Sequence, residues 1–248
     1  MIKDAIEIIK QYYPLLLKGT GNALLFAFSG TAIGFVIGLL FGIIRSTPKS
    51  EKKIIKIIQK IINGIITIYT EVFRGTPMMV QSMVIYWGFA FANNGKTLDL
   101  TLAGILIVSI NTGAYMTEIV RGGIISIDKG QFEGAYSIGM NHFQTMIHVV
   151  IPQMLKNIIP SAANELLNNI KDSSVLNVIG VTELYYFSNV IKRTNLMVFE
   201  TYLVTCAIYL LITFTITRIL AFCEKKLAGN DNFLVVHSAT ITKETENE

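Results

Sequence analysis

Charged residues are scarce in this sequence, and their scarcity indicates its class. Aspartate, glutamate, lysine and arginine make up only 15% of the 248 residues, whereas 52% are hydrophobic. The mean hydropathy is +0.52. A soluble domain of this size carries more charge, and its helices rarely run for about 18 residues without a charged side chain. The composition therefore predicts an all-α integral membrane protein.

The residues that support metal, redox and phosphate chemistry are also few. The cysteines, Cys206 and Cys223, have no paired or metal-ligand spacing, and His142, His148 and His237 lack companion ligands. The sequence contains no Gly-x-x-x-x-Gly-Lys-Ser/Thr phosphate loop. We therefore expect no disulfide, no metal site, no cofactor and no ATP hydrolysis on this chain. Energy for any work must come from a partner or from an ion gradient.

Long apolar segments, several of them uncharged, predict about five transmembrane helices. The Gly-Thr-Pro segment at residues 75–77 should break the second run, and Pro160 should interrupt the fourth, which is also the most polar. We expect residues 1–19 to form an uncleaved amphipathic lead-in, residues 20–225 the transmembrane domain, and residues 226–248 a disordered polar tail. The predicted spans are Leu24 to Ile44, Ile54 to Phe91, Leu100 to Thr117, residues 157 to 170, and Thr201 to Phe222.

The first span carries a glycine at every fourth position. This spacing places small residues on one face of a helix, where they permit another helix to approach without lipid between the backbones. The sequence therefore predicts a close helix contact along the glycines at positions 30, 34, 38 and 42.

Basic residues cluster between the first and second spans. By the positive-inside rule this side is cytoplasmic, so that five spans put the N-terminus outside and the C-terminus in the cytoplasm. Clusters between apolar runs do not suit nucleic-acid binding. Were Ile54 to Tyr69 a separate span, there would be six crossings; the sequence leaves open whether residues 54–72 belong to a kinked span or an interfacial helix. The cluster comprises Arg45, Lys49, Lys52, Lys53, Lys56 and Lys60, with one acid, Glu51.

A polar, glycine-containing stretch between the third and fourth spans predicts a docking element. Lys129-Gly130-Gln131 should break the preceding structure, Glu133 should lie in the first turn of a short helix, and Gly139 can close that helix. Small residues at Gly134 and Ala135 would let another protein approach the backbone, and the stretch ends near Pro152. An exposed helix of this kind can transmit motion from a partner.

Polar residues within apolar runs indicate a contact with a partner or a translocation pathway, because they are costly against lipid unless they face protein or water. Glu165 is the leading candidate to bind a cationic group of a substrate, and Asp172 is second. The alternative role for Glu165 is a structural salt bridge to Lys171, to Arg121 or to another helix. Asn168 lies beside Glu165 in sequence, while Ser109 and Asn111 could donate neutral hydrogen bonds either to substrate or to a neighbouring helix.

The stretch from residue 121 to residue 153 resembles the cytoplasmic coupling loop, or EAA loop, of the membrane-spanning subunits of binding-protein-dependent ABC importers. That pattern is Glu-Ala-Ala, three residues, Gly, nine residues, then Ile, any residue, Leu-Pro. Glu133, Ala135, Gly139 and Pro152 match it. Gly134, Val149 and Ile151 replace its Ala, Ile and Leu.

Three segments in order look like signatures of the polar amino acid branch of these permeases, and the resemblance covers roughly residues 15–225. It implies a type I ABC importer permease fold, a second permease chain, identical or different, and two ATPase subunits that bind ATP and magnesium. It also implies an extracytoplasmic amino-acid-binding protein, an amino acid substrate and a location among the lipids of the plasma membrane. The segments are TEVFRGTPMMVQ at residues 70–81, NTGAYMTEIVRGGIISIDKGQFEGAYSIG at residues 111–139 and IKDSSVLNVIGVTEL at residues 170–184.

Two other classes of function compete with this interpretation. An ion-driven secondary transporter working alone would need no docking loop and commonly shows an internal repeat, which is not evident here. A membrane-embedded enzyme would need a nucleophile, base or metal cluster near one interface, and the scattered His142, His148 and Glu133 do not form one.

Overall fold

A computed structural model describes residues 2–48 and 50–228, and the described chain is helical throughout, without strands. Within the described ranges, seven longer helices are joined by short connections, and two short helices lie between the fourth and fifth of them. The helices are α1 (Ile2–Ser46), α2 (Lys53–Gly75), α3 (Met78–Ala92), α4 (Leu100–Ile125), α5 (Lys129–Ser137), α6 (His142–Thr145), α7 (Ile151–Asp172), α8 (Leu184–Asn195) and α9 (Val198–Ala228). A π-helical segment, Met146–Val150, precedes α7, and a 3-10 helix, Ser173–Ile179, follows it.

Three helices among the described residues are long and apolar enough to cross a membrane: Ile2–Ser46, Leu100–Ile125 and Val198–Lys226. They contain the first, third and fifth predicted spans. The second predicted span is divided between α2 and α3, and Met78–Ala92 is a shorter apolar helix. The fourth is the polar helix α7. The all-helical membrane architecture predicted from composition is therefore confirmed.

Helix α1 joins the lead-in and the first span in one helix of 45 residues that includes Pro14. Its N-terminal part is packed into the fold, because Ile8 and Leu16 lie in a buried cluster with Leu184 and Ile191 of α8. Residues 2–19 are thus continuous with the first predicted span in one helix. At the other end of the chain, residues 226–228 belong to α9, whereas the predicted tail from Gly229 lies outside the described residues.

The glycine face of α1 packs directly on α4, as the spacing predicts. A Cβ atom at Gly34 would lie 2.7 Å from the Cβ of Thr112 and 3.0 Å from the backbone nitrogen of Gly113. Such distances leave no room for a side chain, so the two helices meet backbone to backbone. The contacts run in register along both helices, with Gly30 on Val108, Gly34 on Thr112, Gly38 on Met116 and Gly42 on Val120.

We expect Gly38→Ala to lower the free energy of unfolding by about 2 kcal/mol, a usual cost of overpacking. The new Cβ would lie 2.7 Å from the carbonyl carbon of Met116 and 2.9 Å from the backbone nitrogen of Thr117. Gly21→Ala is the matched control in the same helix, because nothing lies within 4 Å of a Cβ there. Thermal unfolding of the purified variants in detergent measures the difference, and equal melting temperatures would contradict the close α1–α4 contact.

The structure confirms one predicted break and corrects another. Helix α2 ends at Gly75, and Pro77 caps the start of α3, as the Gly-Thr-Pro segment predicts. Pro160, in contrast, does not interrupt its helix, since α7 is continuous from Ile151 to Asp172. The reason is tertiary: Met154, Ile158 and Ala163 are buried in the bundle, and neighbouring helices hold a proline-containing helix in place.

Candidate functional site

A polar cavity of about 230 Å³ lies where the α2–α3 break faces α4 and α7. Helix α7 supplies three of its side chains, and their spacing of three and four residues puts them on one face of the helix. Asn111 and Tyr115 project from α4, one turn apart, and the α2–α3 break provides Thr76, Pro77 and Met78. The three side chains from α7 are Glu165, Asn168 and Asp172.

Gln81 and Asn111 stabilise the backbone at the break. The Nε2 atom of Gln81 donates to the carbonyl of Phe73 at 2.9 Å and to that of Thr76 at 2.8 Å. Asn111 Nδ2 donates to Gln81 Oε1 at 2.9 Å, which connects the break to α4. Backbone carbonyls freed by a break at membrane depth need such partners. Asn111 is therefore both a cavity residue and a structural one.

A second buried network sets the position of α7. Asn169 is 2% exposed, and its Nδ2 donates to Thr31 Oγ1 of α1 at 2.8 Å. The hydroxyl of Thr112 on α4 donates to Asn169 Oδ1 at 3.1 Å. Because Asn169 follows Asn168 directly, these bonds fix the rotation of α7 that turns Glu165 and Asn168 toward the cavity.

The charges around the cavity are two carboxylates and two nearby cations, Arg74 beside Glu165 and Lys171 beside Asp172. Glu165 and Asp172 line the cavity and repel each other, while the positive charge of Arg74 acts on Glu165. The Arg74 guanidinium lies 5.5 Å from the centroid of the Tyr115 ring, which itself lines the cavity. The charged side chains that line the cavity itself are thus both acidic, while the two cations lie beside it.

The alternative role for Glu165, a salt bridge to Lys171 or Arg121, does not occur. Among the described residues, the ion pairs within 4.0 Å join Glu118 to Arg45 and to Arg121, and neither includes Glu165. Glu118 thereby links the end of α1 to α4, with Arg121 Nε donating to its Oε2 at 2.9 Å.

The structure brings together four of the five residues that the sequence proposes for a pathway: Glu165, Asn168, Asp172 and Asn111. Ser109 lies elsewhere; it is 2% exposed, and its hydroxyl donates to the carbonyl of Ile105 in its own helix. Sequence reasoning missed Tyr115 and Gln81. Tyr115 could have been found from the sequence, because it lies four residues after Asn111 and therefore on the same face of a helix. The role of Gln81 could not, because it depends on the geometry of the α2–α3 break.

Helix α5, Lys129–Ser137, is the predicted short helix, but it begins earlier than expected. Asp128 caps it by accepting from the nitrogen of Gly130 at 2.8 Å, so Lys129-Gly130-Gln131 starts the helix and does not break the structure. Glu133 consequently lies beyond the first turn. Gly139, at φ +86°, ends the helix as predicted. Its nitrogen donates to the carbonyl of Tyr136, and the next nitrogen, of Met140, donates to that of Ala135, which is a Schellman motif.

The exposed face of this loop differs from the expected one. Ala135 is only 5% exposed and faces its own chain, so it cannot let a partner approach. Glu133 and Gly134 are exposed, and the large apolar side chains of Ile138 and Phe143 are 74% and 70% exposed. Exposed apolar side chains of this size, close together, mark an interaction surface.

The loop is joined firmly to the helices that line the cavity. Ile124 at the end of α4, Val150 of the π-helical segment and Met154 of α7 lie in one buried cluster. Pro152 lies at the first turn of α7, and it lacks the N–H that an α-helical turn would use, which accounts for the wider π-helical turn before it. Phe132 of α5 packs against this cluster, so α5 is in contact with the ends of α4 and α7.

The sequence is similar to a family of membrane transport proteins. The model of the family described as binding-protein-dependent transport system inner membrane component matches residues 34–229. The probable glutamine ABC transporter permease protein GlnM of Bacillus subtilis strain 168 is 35% identical over 161 residues, covering 65% of this chain and 74% of the relative. The glutamine transport system permease protein GlnP of Escherichia coli K12 is 34% identical over 163 residues, covering 66% and 74%.

Solved structures show the same arrangement of helices. A chain from the crystal structure of an amino acid ABC transporter with histidines is 34% identical and has a TM-score of 0.75, covering 88% of this chain and 96% of that one. A chain of the inward-facing MetNI methionine ABC transporter is 19% identical, with a TM-score of 0.66 and coverage of 86% and 97%, and shares the fold.

Proposed function

Because the chain belongs to the family of binding-protein-dependent transport system inner membrane components, we propose that it is the permease subunit of an ATP-driven importer of a cationic amino acid. The observation that supports the substrate class is the cavity with two carboxylates, Glu165 and Asp172. The similar proteins include glutamine permeases and an amino acid transporter crystallised with histidines, which supports an amino acid as substrate.

The charges of the site complement those of such a substrate. An amino acid with a cationic side chain has two positive groups and one carboxylate. Glu165 and Asp172 can each accept hydrogen bonds from one positive group, and Arg74, beside Tyr115, can attract the carboxylate. Asn111 and Asn168 add neutral donors and acceptors. A neutral amino acid would offer only its ammonium group to the two carboxylates, so it would form fewer charge-assisted hydrogen bonds in this site.

The free energy for transport would come from ATP hydrolysis on separate chains. We expect two ATPase subunits, which hold ATP and magnesium, a second permease chain, and an extracytoplasmic protein that delivers the amino acid. This chain itself would hold no cofactor. The N-terminus of α1 would lie outside and the C-terminus in the cytoplasm, with the basic residues between α1 and α2 on the cytoplasmic side.

The coupling surface would be the exposed part of the loop around α5. Glu133 and Gly134 lie there as the resemblance implies, and Ile138 and Phe143 add the apolar area that a socket on an ATPase would bury. Ala135, Gly139 and Pro152 would act indirectly, since they shape the loop and join it to the helices. Closure of the ATPase dimer on ATP would move α5, and the shared cluster with α4 and α7 would carry that movement to the cavity.

One experiment tests both the energy source and the substrate. The chain is affinity-purified from its native membrane with its partners, and the complex is reconstituted into vesicles for uptake of labelled arginine in competition with glutamine. We expect a phosphate-loop ATPase to accompany the chain, uptake to require ATP, and arginine to be preferred about tenfold or more, the discrimination that one buried charge pair provides. Uptake driven by an ion gradient without ATPase would contradict the importer, and preference for glutamine would contradict the cationic substrate.

A further inference from the structure

The first half of α2 has a lysine stripe beside an isoleucine stripe. Lys53, Lys56 and Lys60 fall within an arc of about 60° when the helix is drawn at 3.6 residues per turn. Residues 52–65 are called the basic segment below, and the isoleucines of its apolar face are Ile54, Ile57, Ile58, Ile61 and Ile65. Helices with this pattern lie in the membrane interface, with the apolar face among the acyl chains.

Neither stripe is covered by the rest of the chain. Ile54 is 74% exposed and Ile65 is 63% exposed, and the lysines are exposed as well. The ion pairs formed by described residues do not involve these lysines. The second half of α2 is different: Ile66 and Thr70 are buried, and the hydroxyl of Tyr69 donates to the carbonyl of Ile110 on α4 at 2.5 Å. The C-terminal half of α2 therefore packs against α4, while its N-terminal half extends away from the other helices.

The basic segment follows closely after α1, a helix that is long and apolar enough to cross a membrane. The membrane-spanning helix α1 ends at Ser46, and α2 begins at Lys53. Gln59 ties the connection to α2, because its Nε2 donates to the carbonyl of Pro48 at 3.1 Å and its Oε1 accepts from the nitrogen of Ser50 at 2.9 Å. These bonds hold the first half of α2 close to the C-terminal end of α1, and by the positive-inside rule the lysines are expected on the cytoplasmic side, where headgroups of that leaflet lie.

We propose that the basic segment binds the headgroups of anionic phospholipids, with its isoleucines in the acyl region. The headgroup phosphate is the anion that a lysine ammonium meets at the membrane surface, and each lysine near an anionic surface adds to the attraction. The basic segment contains four lysines, at positions 52, 53, 56 and 60, and the neighbouring acid, Glu51, lies just before it. The net positive charge therefore complements an anionic surface. The proposal concerns the lipid contact of α2 and holds whichever substrate the chain carries.

Tryptophan quenching by brominated lipids measures this preference at a chosen position. The chain has one tryptophan, Trp87, which lies on α3 away from the lysines and is 54% exposed. The test protein is the full chain with Trp87→Phe and Ile61→Trp, reconstituted in mixtures of phosphatidylglycerol and phosphatidylcholine, one of the two brominated. The unaltered chain is the matched control, because quenching of its Trp87 measures the lipid preference at a position on α3.

We expect the residue-61 reporter to show about a fivefold or greater preference for phosphatidylglycerol, and Trp87 to show little preference. The preference at position 61 should disappear with Lys53→Gln, Lys56→Gln and Lys60→Gln together, persist when the same three become arginine, and fall at 1 M salt, where the Debye length is about 3 Å. Equal quenching by both lipids in the charged protein would overturn the proposal. So would the absence of quenching by either lipid, since the face would then be covered by protein, such as a second copy of the chain.

Discussion

Glu165→Gln is expected to lower kcat/KM for uptake of a cationic amino acid by about 30-fold or more, because losing one partner of a poorly hydrated charge pair costs about 2 kcal/mol or more. The substitution keeps the size and shape of the side chain, so the cavity itself should persist. Helix α7 is held by Asn169 and not by Glu165, and Glu165 has no ion pair within 4.0 Å among the described residues. Uptake by the reconstituted complex, with ATPase activity followed in parallel, measures the effect.

Glu7→Gln is the matched control for this experiment. Glu7 is exposed on α1, away from the residues that line the cavity, so the same change of charge should leave uptake unaltered. Assembly of the complex should be normal for both variants. Unchanged uptake kinetics in Glu165→Gln would remove this carboxylate from the substrate site.

Ile138→Asp is expected to weaken binding of the ATPase about 100-fold or more. A carboxylate placed in an apolar interface has no partner there, and leaving a charge buried and unpaired costs about 3 kcal/mol or more. Ile138 is 74% exposed on this chain, so the substitution should not disturb the fold of the permease. Co-purification of the ATPase and substrate-stimulated ATP hydrolysis measure the loss.

Ile2→Asp offers a matched control at the other end of the molecule. Ile2 is 71% exposed, which is close to the exposure of Ile138, and it lies at the start of α1. It should keep the ATPase bound. Normal coupling in Ile138→Asp would show that the apolar side chains of the α5 loop are not the docking surface, and would leave Glu133 and Gly134 as the candidate contacts.

Local chemistry predicted several features of the fold well. The glycines spaced by four residues in α1 and the Gly-Thr-Pro break are consequences of short-range geometry, since small residues permit close packing and proline removes a backbone donor. Both are found, at Gly34 against Thr112 and at Pro77 before α3. The end of α5 at Gly139 is likewise a consequence of short-range geometry, because the positive φ at this position favours glycine.

Other expectations were wrong because distant parts of the chain decided them. Pro160 was expected to interrupt its helix, but packing of α7 in the bundle keeps the helix continuous. Ala135 was expected to face a partner, yet it is 5% exposed because α5 folds back on its own chain. Ser109 was expected in the pathway, and its hydroxyl instead bonds within α4. Polarity in an apolar run indicates that a residue avoids lipid, but not which protein surface it meets.

By itself, the sequence determined that the chain is a helical membrane protein, approximately where its apolar spans lie, and which loop resembles a coupling element, because these depend on composition and on neighbours within a few residues. Only the tertiary structure decided that Glu165, Asn168 and Asp172 meet Asn111 and Tyr115 in one cavity, and that Ile138 and Phe143 form the exposed face of the loop. Those arrangements depend on the rotation of α7 and α5 about their axes, which is set by contacts such as Asn169 with Thr31 across 138 positions of sequence.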